Sequence, residues 1–72
     1  SQFIQCYIDK TSYVTIELYN MLGEKVSNVF SGQLLSGVHK LNCDLSIFPN
    51  ASYIYKIICN QNIYTLKTIK HE

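Results

Sequence analysis

The sequence predicts an all-β fold, and three observations carry that prediction. Apolar and polar residues alternate with period two in several segments. This is the pattern of strands with one buried face, because successive side chains leave opposite sides of a pleated backbone. Short clusters of Gly, Asn, Asp, Ser and Pro separate those segments and read as turns and connectors. No segment carries a persuasive 3.6-residue apolar period, so no helix longer than a turn is expected.

Phe3 to Ile8 alternates, with Ile4, Cys6 and Ile8 inward and Phe3, Gln5 and Tyr7 on the other face. Asp9-Lys10-Thr11-Ser12 is a polar connector, leading either around a hairpin or across to a second sheet. In the next strand Val14, Ile16 and Leu18 point one way, and Thr15, Glu17 and Tyr19 the other. Asn20 ends it, and Gly23 tolerates positive φ without steric cost, so a hairpin is expected there. Lys25 to Phe30 is a shorter strand with Val26 inward. Ser31-Gly32 and Ser36-Gly37 read as turns around Gln33-Leu34-Leu35. By alternation Leu34 and Leu35 cannot both face the core, so one of them plugs a gap at the end of the fold. In Val38 to Cys43, residues His39, Leu41 and Cys43 share a face. Asp44 to Asn50 is a connector in which Pro49, lacking a backbone donor, cannot lie inside a sheet. Tyr53 to Cys59 has the strongest strand chemistry, with Tyr53, Tyr55, Ile57 and Cys59 on one face and Lys56 marking the wetter one. Asn60-Gln61-Asn62 is a turn, and Ile63 to Lys70 is the last strand. There Tyr64 and Leu66 fit one phase and Ile69 the other, which predicts a bulge.

Seventy-two residues make one domain. A chain of this size buries only about 60% of its unfolded surface, so its core is thin, and such a domain rarely encloses a substrate cleft of its own. Six basic against five acidic residues give a net charge of +1, too little for a nucleic-acid or membrane-surface footprint. No apolar run reaches the roughly 18 residues of a transmembrane helix, and no signal-peptide pattern is present. The chain opens on Ser1, and we read it as a piece of a longer protein.

The residues do not assemble an enzyme on paper. The acids at 9, 17, 24, 44 and 72 are scattered, no Ser sits in a nucleophile elbow, and Gly23, Gly32 and Gly37 are too far apart to cradle a phosphate. His39 lacks an acidic or second histidine partner at ligand spacing, and His71 lies in the tail. No metal or cofactor is expected. Asn50-Ala51-Ser52 matches a glycosylation acceptor and reads as a turn. Phe3, Tyr7, Tyr13 and Tyr19 share the outward phase of the first two strands. They form either a contact surface or a surface that a neighbouring strand would cover.

The stretch Val14-Thr15-Ile16-Glu17-Leu18-Tyr19-Asn20-Met21-Leu22-Gly23-Glu24-Lys25-Val26 resembles the core motif of the C-terminal sorting domains of the type IX (Por) secretion system. Gly37-Val38-His39 resembles the "G-x-H" that opens a later strand of that family. Asp44 to Phe48 followed by Ala51 to Ile57 resembles its "D-L-S" and tyrosine-bearing strand, and Thr65 to Lys70 its lysine-punctuated last strand. The matches run in the family's order over nearly the whole chain. Ala51 stands where the family usually has Gly, two residues before Tyr53. A requirement for positive φ there would cost about 1 kcal/mol or more.

The resemblance implies a small immunoglobulin-like β-sandwich of six to seven strands, in which the first two strands lie in opposite sheets and the connector crosses between them. Both strands then bury one apolar face against the other. Leu18, Tyr19, Asn20, Gly37 and Tyr53 become its structural motif positions. Tyr53 falls where such folds place a tyrosine whose hydroxyl bonds an upstream backbone group. Gly23, Lys67 and Lys70 become candidates for recognition by the translocon.

The function implied is that of a non-catalytic secretion signal covering residues 1–72, C-terminal to a cargo domain in the same polypeptide. Its partners are the type IX machinery and its sortase. Its location is the periplasm in transit, then the cell surface or the medium. The alternative is an accessory carbohydrate- or protein-binding sandwich of an extracellular enzyme, and the immunoglobulin-like domain of the flagellar hook-capping protein has similar strands. Lysines on the last strand also discourage edge pairing, although exposed edges admit a strand-paired dimer.

Cys6, Cys43 and Cys59 contain no C-x-x-C pair, which argues against a zinc site. They read as free thiols packed as small hydrophobes, with a Cys43–Cys59 bridge as the sharper alternative in an exported protein. Titration in denaturant without reductant is expected to find three free thiols, a count that rules the bridge out.

Overall fold

The computed structural model describes residues 2–71. Six strands form in chain order: β1 (Gln2–Ile8), β2 (Ser12–Asn20), β3 (Lys25–Leu34), β4 (Gly37–Cys43), β5 (Ala51–Cys59) and β6 (Asn62–Lys70). They make two antiparallel sheets, a pair β1-β4 and a four-stranded sheet in the order β3-β2-β5-β6. The two sheets face each other as a β-sandwich. β1 and β2 therefore lie in opposite sheets, and the Asp9–Thr11 connector crosses between the layers as the crossing alternative requires.

Alternation decides what is buried. Ile4 and Ile8 from β1, Val14, Ile16 and Leu18 from β2, and Tyr53, Tyr55 and Ile57 from β5 meet in the core. Cys43 and Leu45 close it from the other side. Ile16 and Leu18 are fully buried. His39 and Leu41 take the inward phase of β4 with Cys43, and Leu41 packs against the core.

The β2–β3 turn is built by Asn20. Its side-chain carbonyl accepts from the amides of Leu22 and Glu24 at 2.9 and 3.0 Å, and its side-chain amide donates to Glu24 Oε1 at 2.8 Å. Gly23 then turns at φ +85°, a left-handed conformation that side chains with a Cβ rarely adopt. Gly37 enters β4 at φ +125° for the same reason.

Two expectations need correction, and two open points are resolved. β3 is not short: it runs through Ser31-Gly32, which is strand and pairs with Thr15 and Val14. The reason is that β2 offers a full ladder as far as Ser12, opposite Leu34. Of the two leucines, Leu34 is the buried one and Leu35 is 69% exposed. The irregularity expected in the last strand lies instead in β3, where register shifts fall between Ile16 and Glu17 and between Leu18 and Tyr19 of its partner. The residues skipped are Val29 and Val26, and both pack against the core, so each bulge returns a valine to the apolar side. β6 itself pairs with β5 in unbroken register from Lys70 opposite Ala51 to Asn62 opposite Cys59. Finally, Ala51 needs no positive φ: among the described residues, Asn60 at φ 57° is the one non-glycine with it, and Asn tolerates that region.

All three cysteines are free thiols. Cys43 and Cys59 do not lie on neighbouring strands: Cys43 sits opposite Gln2 in the small sheet, and Cys59 lies opposite Val14 and Asn62 in the large one.

Leu18→Ala is expected to destabilise the domain by about 2–5 kcal/mol through lost burial and the residual cavity. In a domain this small that is a large share of a total stability on the order of 5 kcal/mol or somewhat more. Urea unfolding should show a lower midpoint with an unchanged slope.

Candidate recognition surface

The residues singled out in the sequence gather mainly at one end of the large sheet. Asn20, Tyr53 and Thr68 lie side by side on β2, β5 and β6, which places the Gly23 turn, the Tyr53 corner and the end of the last strand together. The Tyr53 hydroxyl donates to Pro49 O at 2.6 Å, and its ring meets Phe48 at 6.1 Å between centroids. Lys70 reaches the same connector, its ammonium donating to Ser46 O at 3.2 Å and Phe48 O at 2.5 Å. The Asp44 carboxylate takes the amide of Ser46 at 3.0 Å, and this bond holds its pKa below the usual carboxylate value. The connector between β4 and β5 is thus pinned from three sides. Gly37, opposite Ile8, lies at the other end of the sandwich.

Lys67 and Lys70 do different things. They stand three residues apart on a strand and so leave opposite faces. Lys70 is on the core-side phase, opposite Ala51. Lys67 is on the outer face, opposite Ile54, which in turn lies beside Tyr19. The outer face around it mixes isoleucines (Ile54, Ile69) with polar and charged groups. The Tyr19 hydroxyl donates to Glu17 Oε1 at 2.8 Å, Lys25 pairs with Glu17 Oε2 at 3.3 Å, and the Lys56 ammonium lies 5.9 Å from the Tyr19 ring centre. The Tyr19 hydrogen bond, then Lys25, lower the Glu17 pKa, and the carboxylate raises that of Tyr19. One carboxylate thus gathers Tyr19, Lys25 and Lys56 in a patch near the Gly23 turn, and Lys67 stands two strands away on the same face. Of the motif residues, Tyr19 belongs to this patch, whereas Leu18 is core.

The aromatic surface expected from the first two strands is split. Phe3 and Tyr7 stand on the outer face of the small sheet with Lys40, whose ammonium lies 4.5 Å from the Phe3 ring centre. Tyr13 and Tyr19 stand on the outer face of the large sheet, where Tyr13 meets Ser31 Oγ at 3.0 Å. Strands in opposite sheets turn their outward faces away from each other, so the four rings cannot form one surface.

His39 lies opposite Cys6, and its Nε2 lies 2.6 Å from Leu35 O. Among the described residues no three His, Cys, Asp or Glu side chains cluster to hold a metal ion. His71 follows β6, exposed.

Sequence reasoning passed over Gln2. Its Oε1 accepts from the Tyr55 hydroxyl at 2.7 Å and from Thr68 at 3.1 Å, while its Nε2 donates to Thr68 Oγ1 at 2.9 Å. These bonds tie the small sheet to the large one. The signal was the even-numbered inward phase of β1, continued back from Ile4 to Gln2. At the other end Asn60 donates to Ser12 Oγ at 3.1 Å, and Ser12 donates to Lys10 O at 2.7 Å.

Burial, and then the neighbouring Cys43 thiol, hold the Tyr55 pKa far above the ordinary tyrosine value. The unfolded chain ionises at about pH 10, so this contribution to stability is complete below that pH and is lost progressively above it. Urea midpoints should fall between about pH 9.5 and about pH 11.5, and Tyr55→Phe should flatten that fall. No protein-family model, curated protein or solved structure matches the chain.

Proposed function

We propose that this chain is a folded address label, a C-terminal sorting domain of the type IX kind carried by a larger exported protein. Its role is to be read by the translocon in the periplasm and then removed by the sortase as the cargo is anchored at the surface or released. The supporting observation is the convergence of the motif residues. Asn20 and Gly23, Tyr53 and Lys70 come from three separate stretches of sequence and build one end of the sandwich. Lys67 and Tyr19 stand on the adjoining outer face. A label requires a stable scaffold and a displayed surface, and this is what these residues supply.

The two lysines then divide the work. Lys70 braces the connector below Tyr53, and Lys67 is the displayed cation available to a reader, with the Gly23 turn beside it. A second reading, an accessory module binding polysaccharide, is favoured by Phe3 and Tyr7, both well exposed on the outer face of the small sheet.

The domain fused behind a signal-peptide-bearing reporter in a type IX-competent bacterium is expected to carry the reporter out. Lys67→Ala should lower export while changing stability by no more than about 0.5 kcal/mol, as for an ordinary surface substitution. Lys70→Ala should lower stability as well. A reporter held in the periplasm by the intact fusion would sink the export reading, and retention of the isolated domain on polysaccharide would favour the second.

A further inference from the structure

Two strands lie over four. On β5 the core-side face is sealed, with Tyr53 and Tyr55 at 3% exposure and Ile57 at 8%. On the adjacent β6 it is not. Tyr64 and Leu66, the cross-strand partners of Ile57 and Tyr55, are 55% and 49% exposed. A cleft of about 480 Å³ opens there, walled by β1 from Ile4 to Ile8 with Asp9 just beyond it, and floored by Ile57, Cys59, Tyr64 and Leu66. β1 pairs on one side only, with β4. Along its other edge alternate residues turn their N–H and C=O groups outward with no strand to receive them.

We infer that this cleft is a docking site for a single extended polypeptide strand, which adds to the free edge of β1 and lays alternate apolar side chains on Tyr64 and Leu66. A row of backbone donors and acceptors above an apolar floor matches a strand in both respects: the main chain supplies the hydrogen bonds, and every second side chain points down. The ends of the site differ. Asp9 is the one charged residue in the lining, and it lies beside Asn60 and Asn62 at the far end of β1. An antiparallel strand with a Lys or Arg near its N-terminus sets that cation against Asp9.

A second folded copy does not fit the same place. The two-strand layer leaves Tyr64 and Leu66 of β6 half-exposed, so a two-fold-related molecule paired antiparallel through β1 would direct its own β6 at the same floor. The site takes a strand, not a sandwich edge. This inference does not rest on the export reading: it is tested on the purified domain, and either can fail while the other stands.

The probe is a heptapeptide alternating valine with threonine and beginning with lysine. It is used both free and joined ahead of residue 1 through a flexible Gly-Ser linker, which raises its effective concentration to about a millimolar. Amide shifts on titration should be confined to β1 and the inner positions of β6, and alkylation of Cys6 should slow. The tethered form should raise the urea midpoint. Leu66→Lys, at a half-exposed position, should leave the fold intact and weaken binding by about tenfold or more. N-methylation of alternate peptide amides should abolish binding, and replacing the lysine with glutamine should weaken it by roughly threefold. The proposal is overturned if the tethered peptide leaves the midpoint unchanged, or if N-methylation and Leu66→Lys have no effect. Self-association of the domain that Leu66→Lys abolishes, in place of peptide binding, would also overturn it.

Discussion

The sealed contact between the small β1-β4 sheet and the middle strands β2 and β5 is the constraint on which everything else depends. A two-strand layer has enough width to cover two strands of a four-strand layer. β2 and β5 receive that cover, and their inward residues from Val14 to Leu18 and from Tyr53 to Ile57 are the centre of the core. β3 and β6 are left at the margins. β3 answers with two bulges that return Val26 and Val29 to the apolar side. β6 makes no such adjustment and keeps Tyr64 and Leu66 half-exposed.

So thin a core gains from polar ties at both ends. Gln2 binds Tyr55 and Thr68 across the layers, and Asn60 binds Ser12 beside the crossing connector. Each such hydrogen bond contributes about 1 kcal/mol net. The Gln2 bonds have a larger geometric role, because they hold in register two sheets that are not joined by a strand ladder. Among the described residues no buried side-chain polar atom lacks a partner, so these ties carry no desolvation penalty from orphaned groups.

The margins are where the molecule can meet others. The outer face of the large sheet displays charge around Glu17, with Lys25, Lys56 and Lys67 on or beside it. The edge of β1 displays unpaired backbone above an apolar floor. The first suits a reader that senses charge and shape on a rigid surface, the second a partner that becomes part of a sheet. The second exists because the two layers are unequal in width.

Sequence alone determined the strands and their faces, because a period of two follows from local backbone geometry. The inward sets of β1, β2, β4 and β5, the Gly23 hairpin and the Tyr53 bond to an upstream carbonyl were all legible in neighbouring residues. The extent of β3, the site of the bulges and the core-side placement of Lys70 were not. Ser31-Gly32 reads as a turn until β2 lies alongside to pair with it, and the phase of β6 is ambiguous until β5 sets its register. The phase of β1 turns Gln2 inward, but its partner Thr68 lies 66 residues away and has no trace in the neighbouring sequence. The tertiary structure decided these points because each depends on which strand lies next to which, and on how far one layer reaches across the other.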